Sequence, residues 1–303
     1  MMAKLKWVVL FLFLCSSVIC AKEWKTEVLT RDISGPQITM KKKKIKTSVN
    51  ASEEEWKKGL RAVDQKDGDV TDSIVIENMS AFLKPGRRLI TYAAFDQDHH
   101  VTKATRELEY TDYHSPEIFF SRPLRFPAGT RDILSGIRVQ DCIDGDISGK
   151  VRIAADTTFY VDVPGSYPVK LQVANSCGDL VTLPVTLEIY DRTEEEAAMQ
   201  IHLLDAICYL EKGTSFDPLD EVQSITVDGL DYALTEEEES YGTQQQDGYR
   251  TISRSRLEIE QDMDLEKAGV YEINYRINGE NGKNGKTRLV VVVQNKKKKK
   301  GDA

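Results

Sequence analysis

The sequence predicts an all-β protein made of tandem β-sandwich modules, and three observations lead to this prediction. One phrase occurs twice, as VDQKDGDVTD at 63–72 and as QDCIDGDISG at 140–149, so that the Asp-Gly-Asp cores begin at Asp67 and Asp144. A Pro-Gly pair follows each copy in nearly the same register, at Pro85 and at Pro164. Residues 181–191 alternate apolar and polar side chains, the period of a strand with one buried face. A repeat with strand periodicity predicts several copies of one β module.

The first element, residues 1–21, has the pattern of an export segment. Lys4 and Lys6 precede a run, 7–21, that is apolar to its end. A basic start followed by an apolar core is typical of a signal peptide or a short N-terminal membrane anchor. Because the two lysines favour a cytoplasmic start, we expect an uncleaved single-pass anchor that holds the chain at the extracellular face of the cell membrane. Cleavage and secretion is the alternative.

Two modules follow, at 35–113 and 114–191, and a divergent third is expected at 199–295. The runs ITYAAF and VKLQVA are bounded by Pro-Gly and by polar turn residues, as strands are. GVYEINYR in the third module repeats the pattern of GSYPVKLQ in the second. The third module carries an acidic insert, 234–249, predicted to be a mobile loop, and a basic tail follows at 296–303. We expect the modules to lie end to end.

The order of these motifs resembles the bacterial surface immunoglobulin-like domain family, which includes the Ig-like repeats of some pesticidal crystal proteins and is akin to hyalin repeats. Pro-x-Ile openings stand at 36–38 and 116–118, and the Asp-Gly-Asp segments stand at 67–69 and 144–146. The Gly-x-Tyr strands and the final alternating strands follow in the order of the family. The likeness covers roughly 35–295. It implies three tandem Ig-like β-sandwich modules behind an N-terminal hydrophobic segment.

The resemblance also implies a surface location, and with it a function. We expect a non-enzymatic bacterial cell-surface protein that acts as a stalk or as an adhesion and binding module. The alternative is an accessory carbohydrate- or cell-wall-binding array that serves a separate enzyme. Catalysis is not expected. None of the four histidines has a serine or cysteine motif around it, and no nucleophile-elbow, zinc-protease or phosphate-loop motif occurs in the sequence. The sequence names no surface ligand, whether glycan or protein.

Oxygen-bearing side chains gather in two loops of each module, which the resemblance places at one pole. They are Asp64, Asp67, Asp69 and Asp96 in the first module, and Asp141, Asp144, Asp146 and Asn175 in the second. Calcium prefers six to eight oxygens from such loops, so a calcium site is one hypothesis. The other is that these side chains fix tight turns through hydrogen bonds to the backbone. We favour the second because the spacing is not that of a twelve-residue calcium loop, and we expect no other cofactor.

Two cysteines belong to the same pole in the second module. Cys142 lies in one of the two facing loops that the resemblance implies, and Cys177 lies in the other. An exported protein permits a disulfide between them. The alternative is two reduced thiols. Cys208, in an apolar stretch, is expected to be a buried thiol.

The charge pattern bears on partners. A net charge of −8 gives no reason to expect nucleic acid. Against it stand two lysine runs, at 41–44 and at 296–300. We favour the interpretation that these lysines are solvated and bind nothing. The alternative is that they attract anionic wall polymers or lipid headgroups.

Overall fold

The protein is all-β, as the sequence predicts. The structure, a computed structural model, describes residues 2–30, 34–195, 198–237, 241–244, 250–279 and 282–295. Strands make up 49% of the molecule, which confirms the predicted fold class. The chain divides into two compact units, Met1–Tyr113 and His114–Ala303.

An N-terminal helix, α1 (Met2–Thr30), contains the apolar run of residues 7–21. Its large side chains are exposed, among them Trp7, Phe11 and Trp24. Across the residues that the structure describes, no helix has the length and apolar character needed to cross a membrane. The predicted single-pass anchor is therefore wrong. The reason is length: charged residues resume at Lys22, and a spanning helix needs about 20 apolar residues.

The first unit continues as two sheets. Its elements are β1 (Gln37–Met40), β2 (Lys44–Thr47), α2 (Glu53–Lys57), β3 (Leu60–Asp64), β4 (Gly68–Asp69), β5 (Val75–Met79), β6 (Arg87–Phe95) and β7 (Val101–Tyr110). One sheet has the order β1-β3-β4 and the other the order β2-β7-β6-β5. Alternate residues of β3 are buried, including Ala62, and β6 buries Ile90 and the consecutive residues Tyr92 to Ala94. These side chains form the core between the two sheets.

The second unit begins with a module of the same pattern. Its strands are β8 (Glu117–Phe120), β9 (Arg125–Pro127), β10 (Ile137–Asp141), β11 (Gly145–Asp146), β12 (Arg152–Ile153), β13 (Gly165–Ala174) and β14 (Leu180–Tyr190). The sheets have the orders β11-β10-β8 and β12-β13-β14-β9. The long pair β13 and β14 stays in register from Gly165↔Ile189 to Ala174↔Leu180.

The second unit then continues into a larger module, after a short helix, α3 (Arg192–Glu195). The strands are β15 (Gln200–Leu203), β16 (Ile207–Glu211), β17 (Val222–Val227), β18 (Leu230–Thr235), β19 (Tyr241–Gln244), β20 (Arg250–Ser253), β21 (Leu257–Glu260), β22 (Gly269–Asn278) and β23 (Asn284–Gln294). The sheets have the orders β15-β17-β18-β20-β19 and β16-β23-β22-β21. Single 3-10 turns occur at Thr71–Ser73, Ser148–Lys150, Pro218–Glu221 and Arg254–Arg256.

One departure concerns the acidic insert, 234–249, which the sequence predicts to be a loop. Tyr241–Gln244 forms β19 and pairs with β20. Leu234 and Tyr241 pack against the hydrophobic core of this module, so these residues are part of the sheet. Residues 238–240 and 245–249 of the insert, and the basic tail from 296 to 303, lie outside the described residues.

In all three modules the first two strands belong to different sheets. The first segment joins one sheet, and the next segment pairs in parallel with the last long strand of the other. The parallel registers include Ile45↔Leu108, Phe126↔Ile189 and Cys208↔Val291. Each module thus pairs its second strand with its last strand.

The two modules of the second unit share a core, which differs from the end-to-end arrangement expected for them. Ala206, Ile207 and Val290 belong to the buried cluster formed by β8 to β14. Leu289, Val290 and Val291 are consecutive buried residues, so both faces of β23 are covered. A strand with two apolar faces needs cover on each side. The second module supplies the outer cover.

Candidate functional site

The Asp-Gly-Asp loop of the first module is a network of carboxylate hydrogen bonds. Asp64 ends β3, and its Oδ1 accepts the backbone N–H groups of Lys66 at 2.8 Å and of Asp67 at 2.9 Å. Gly68 takes a φ of 75°, which favours glycine. Asp69 Oδ1 accepts from the Thr71 N–H at 3.1 Å and from the Thr71 hydroxyl at 2.5 Å. Both carboxylates fix the turn.

The second module repeats this network at the second copy of the phrase. Asp141 Oδ1 accepts the N–H groups of Ile143 and Asp144, both at 2.8 Å. Asp146 Oδ1 accepts from the Ser148 N–H at 2.9 Å and from its hydroxyl at 2.5 Å. The repeated phrase in the sequence is therefore a repeated set of hydrogen bonds.

The middle aspartate joins two loops. In the first module Asp67 Oδ2 accepts the N–H of Gln97 at 2.8 Å. In the second, Asp144 Oδ2 accepts the N–H of Ser176 at 2.7 Å, and its Oδ1 accepts the Ser176 hydroxyl at 2.5 Å. Lys150 Nζ lies 3.2 Å from Asp144 Oδ2. The structure thus brings together the facing loops that the sequence placed at one pole.

One position differs between the modules. Asn175 donates from Nδ2 to Asp141 Oδ2 at 3.1 Å and accepts the N–H of Asp179 at 3.0 Å. Asp96 occupies the equivalent place in the first module and accepts the N–H of His100 at 2.8 Å. Its Oδ2 lies 2.7 Å from His100 Nδ1, a hydrogen bond that the sequence analysis does not include. Asp64 Oδ2 is buried and, within the described residues, has no hydrogen-bond partner.

The hydrogen bonds also set the charge of the loops. The Ser148 hydroxyl and N–H lower the pKa of the Asp146 carboxyl, and Thr71 lowers the pKa of Asp69 in the same way. For Asp144, burial raises the pKa, but hydrogen bonds from Ser176 and Lys150 outweigh it and the net shift is downward. These three carboxyls are therefore ionised at neutral pH.

Neither the metal hypothesis nor the disulfide hypothesis has a formed site. Among the residues that the structure covers, no group of three or more His, Cys, Asp or Glu side chains is arranged to hold a metal ion. Calcium at these loops stays a prediction. Cys142 and Cys177 are thiols in the structure, and Cys142 Sγ donates to the His114 carbonyl at 3.2 Å. The bridge between them stays a prediction for the oxidised protein.

A cleft in the second unit has no counterpart in the sequence analysis. Its volume is about 720 Å³, and it lies between β13–β14 of one module and β21–β22 of the next. Lys170, Glu260, Asp262, Tyr271 and Asn274 are among the residues that line it. No local motif signals such a cleft, since its two walls come from different modules and are far apart in the chain.

No family model matches the chain, and no curated protein matches it significantly. Among solved structures, the chain is similar to CBM51-2 in complex with GlcNAc and INT domains from Clostridium perfringens ZmpB, with 15% identity over 49% of this chain and 26% of that one, at a TM-score of 0.21. The protocadherin gamma B4 extracellular domain gives 12% identity, coverage of 87% and 50%, and a TM-score of 0.19.

A lipoprotein from Bacteroides thetaiotaomicron gives 12% identity, coverage of 85% and 100%, and a TM-score of 0.19. The chain spans between a quarter and a third of the length of the three Clostridium structures that it matches. TM-scores near 0.2 do not identify a common fold, and no ligand or activity is carried over to this chain.

Proposed function

We propose that this chain is an exported, non-enzymatic protein of the bacterial surface immunoglobulin-like family, which acts as a stalk and as an adhesion or binding module. The observation that carries the proposal is the shared core of the two modules in the second unit, where Ala206, Ile207 and Val290 complete the core of the preceding module. A stalk must hold its binding surface at a fixed orientation. Two modules that are joined by buried side chains in this way cannot hinge freely.

Polar contacts between the two modules support the same conclusion. Glu272 accepts from the Thr186 N–H at 2.6 Å and from the Thr186 hydroxyl at 2.7 Å. Arg288 donates to the Thr186 carbonyl at 3.3 Å. The Tyr209 hydroxyl accepts from the Ile118 N–H at 2.8 Å and donates to the Ile118 carbonyl at 3.0 Å. Backbone groups at a strand edge are thus satisfied by the neighbouring module, which fixes its register.

The cleft between these modules favours a second candidate, an accessory carbohydrate-binding array that serves a separate enzyme. Its volume of about 720 Å³ is in the range of ligand sites, roughly 300–1,000 Å³. Acid, amine, amide and phenol groups line it together, and such a mixture suits the hydroxyl groups of a sugar. The two candidates differ in whether binding depends on this cleft.

The test is capture of the protein on peptidoglycan, mucin and immobilised host-cell glycans. We expect retention on at least one of these surfaces and no release of sugar or peptide products. A double variant in the cleft, Gln261→Ala with Asp262→Ala, is compared with Asp220→Ala with Gln223→Ala, which removes the same residue types elsewhere in the third module. Loss of retention in the cleft variant alone selects the carbohydrate-binding candidate. Product release by the purified chain would contradict a non-enzymatic role.

A further inference from the structure

A second cavity, of about 710 Å³, lies in the first unit and is lined mainly by cations. Arg106 of β7 lines it, and one carboxylate, Glu55 of α2, is present. Five lysines from the β1–β2 region and from the end of α2 complete the charged lining: Lys41, Lys42, Lys44, Lys46 and Lys58. The run of lysines at 41–44 is therefore part of a concave site.

Arg106 is the unusual member of this cavity. It is 1% exposed, and its NH1 group donates to the carbonyls of Trp56 and Lys58, both at 3.1 Å. Its Nε is buried and has no hydrogen-bond partner in the described part of the chain. In the second module the equivalent register position, opposite Val169 as Arg106 is opposite Ile90, is held by Val185. An apolar core position thus carries a buried cation, which lies 5.8 Å from the centre of the Tyr92 ring and keeps one unused donor at Nε. An unused buried donor is costly, and an anion in the cavity would compensate it.

The lysines add charge that the protein compensates only in part. Lys44 is 3.1 Å from Glu107 and 2.6 Å from Glu109, so its charge is neutralised. Lys41, Lys42, Lys46 and Lys58 make no ion pair with any described residue, and all four are exposed. The cavity therefore has a net positive charge in a protein whose overall charge is −8.

We propose that this cavity binds a phosphate or sulfate group carried by an extended polyanionic polymer. The inference rests on the proposed function and names a ligand class for one of its surfaces. A guanidinium fork and several ammonium groups provide the donors that such oxyanions accept. Because Arg106 and the lysines line a concavity, a single anionic group on a thin chain can enter it, whereas a flat bilayer surface cannot.

The experiment measures binding of the full chain to polyphosphate by titration calorimetry at 50 and 200 mM salt. We expect saturable binding that weakens as salt rises. Lys46→Glu should raise the Kd at least tenfold. Lys84→Glu, the same charge change at an exposed lysine of the first unit outside the cavity, should change it less than twofold. Arg106→Lys keeps the charge but removes the guanidinium, including Nε and the NH1 group that donates to the Trp56 and Lys58 carbonyls, and it should weaken binding with an unchanged circular dichroism spectrum.

Inorganic phosphate and phosphatidylglycerol vesicles separate this site from the other sources of anions. Phosphate should compete with polyphosphate more strongly than chloride does at equal ionic strength. Equal competition by chloride, or equal loss in Lys46→Glu and Lys84→Glu, would overturn the proposal. Because the exposed apolar side chains of α1 can bind vesicles by themselves, tighter binding to vesicles than to polyphosphate overturns it only where Lys46→Glu weakens the vesicle binding at least tenfold. If Arg106→Lys does not fold, Lys42→Glu takes its place. Capture of Lys46→Glu on glycans or mucin would show that the proposed function survives a failure of this site.

Discussion

At the scale of single residues, the aspartates of the repeated phrase act through backbone N–H groups. Asp64 and Asp141 each hold two N–H groups of the following turn, and Asp67 and Asp144 each hold an N–H of the facing loop. Buried or half-buried N–H groups without such acceptors would lose a hydrogen bond on folding. The carboxylates therefore stabilise the pole of each module.

Asp144→Ala tests this role. The variant leaves the Ser176 N–H and hydroxyl without their acceptor, so we expect the free energy of unfolding to fall by about 1–3 kcal/mol. Asp156→Ala, which removes an exposed ion pair with Lys170, should leave the free energy of unfolding nearly unchanged. Chemical denaturation with calcium and with chelator measures both. A rise of many degrees in the melting temperature with calcium, in wild type but not in Asp144→Ala, would instead indicate a metal site.

The same variant has a defined pH dependence. The folded pKa of Asp144 is below the ordinary value of 3.8, so its ionised form is the one that the fold stabilises. The linked stability is present above pH 3.8 and is lost as the pH falls through the folded pKa. The difference in unfolding free energy between wild type and Asp144→Ala should therefore be constant from pH 7 to pH 5 and shrink below pH 4. A difference that grows on acidification would contradict this assignment.

Cys208 gives a further test at this scale. Burial raises the pKa of its thiol to about 12, so the reactive thiolate is scarce at pH 8. We expect iodoacetamide to modify Cys208 slowly in the folded protein and rapidly after unfolding in guanidinium chloride, as followed by mass spectrometry of its peptide. The exposed Cys20 serves as the internal standard and should react at the same rate in both states.

At the scale of strands, the unusual element is the β16–β23 pair, whose outer face is covered by the preceding module. Ile207 is 5% exposed and lies in the core of β8 to β14 although its strand belongs to the next module. The sheet β16-β23-β22-β21 is therefore buried on both faces over part of its width. The two modules of the second unit should unfold as one cooperative body.

Ile207→Ala tests this coupling. Truncating a buried isoleucine costs about 2–5 kcal/mol, and the loss should reduce the stability of both modules because the side chain fills a core that they share. Calorimetry of residues 114–295 should show one transition that shifts to lower temperature. Leu230→Ala, at a position that is 44% exposed, is the control and should leave the transition nearly unchanged. Two separate transitions in wild type would contradict the shared core.

Sequence reasoning succeeded where the physics is local. The Asp-Gly-Asp turns and the alternating strands depend on residues a few positions apart, so their periodicity and spacing predict the fold class. The facing loops were expected only from the resemblance to the Ig-like family. The sequence did not predict the core shared by the two modules of the second unit. The apolar residues of β23 have the same pattern whether a second sheet or a neighbouring module covers them. The cation-lined cavity was missed for the same reason: Arg106 is one charge in an alternating strand, and only the fold places it beside the lysines.

At the scale of the whole molecule, the division into Met1–Tyr113 and His114–Ala303 predicts two folding units. The first unit contains two sheets and the second contains four, all with buried side chains, so each unit should fold alone. Fragments 34–113 and 114–295, expressed separately, should show the strand spectrum of the full chain and melt within a few degrees of the corresponding transitions. A fragment that remains unfolded while its partner folds would show that one unit depends on the other.

The parallel pairing of the second strand of each module with its last strand has a mechanical consequence. When a module is pulled from its two ends, the β16 and β23 segments are drawn in opposite directions along their common axis. The hydrogen bonds along the register from Ile207↔Val290 to Glu211↔Gln294 are then loaded together in shear rather than opened one at a time. The same arrangement joins β2 to β7 and β9 to β14. Each module thus resists extension at its parallel strand pair, which must break before the rest of the module can unfold.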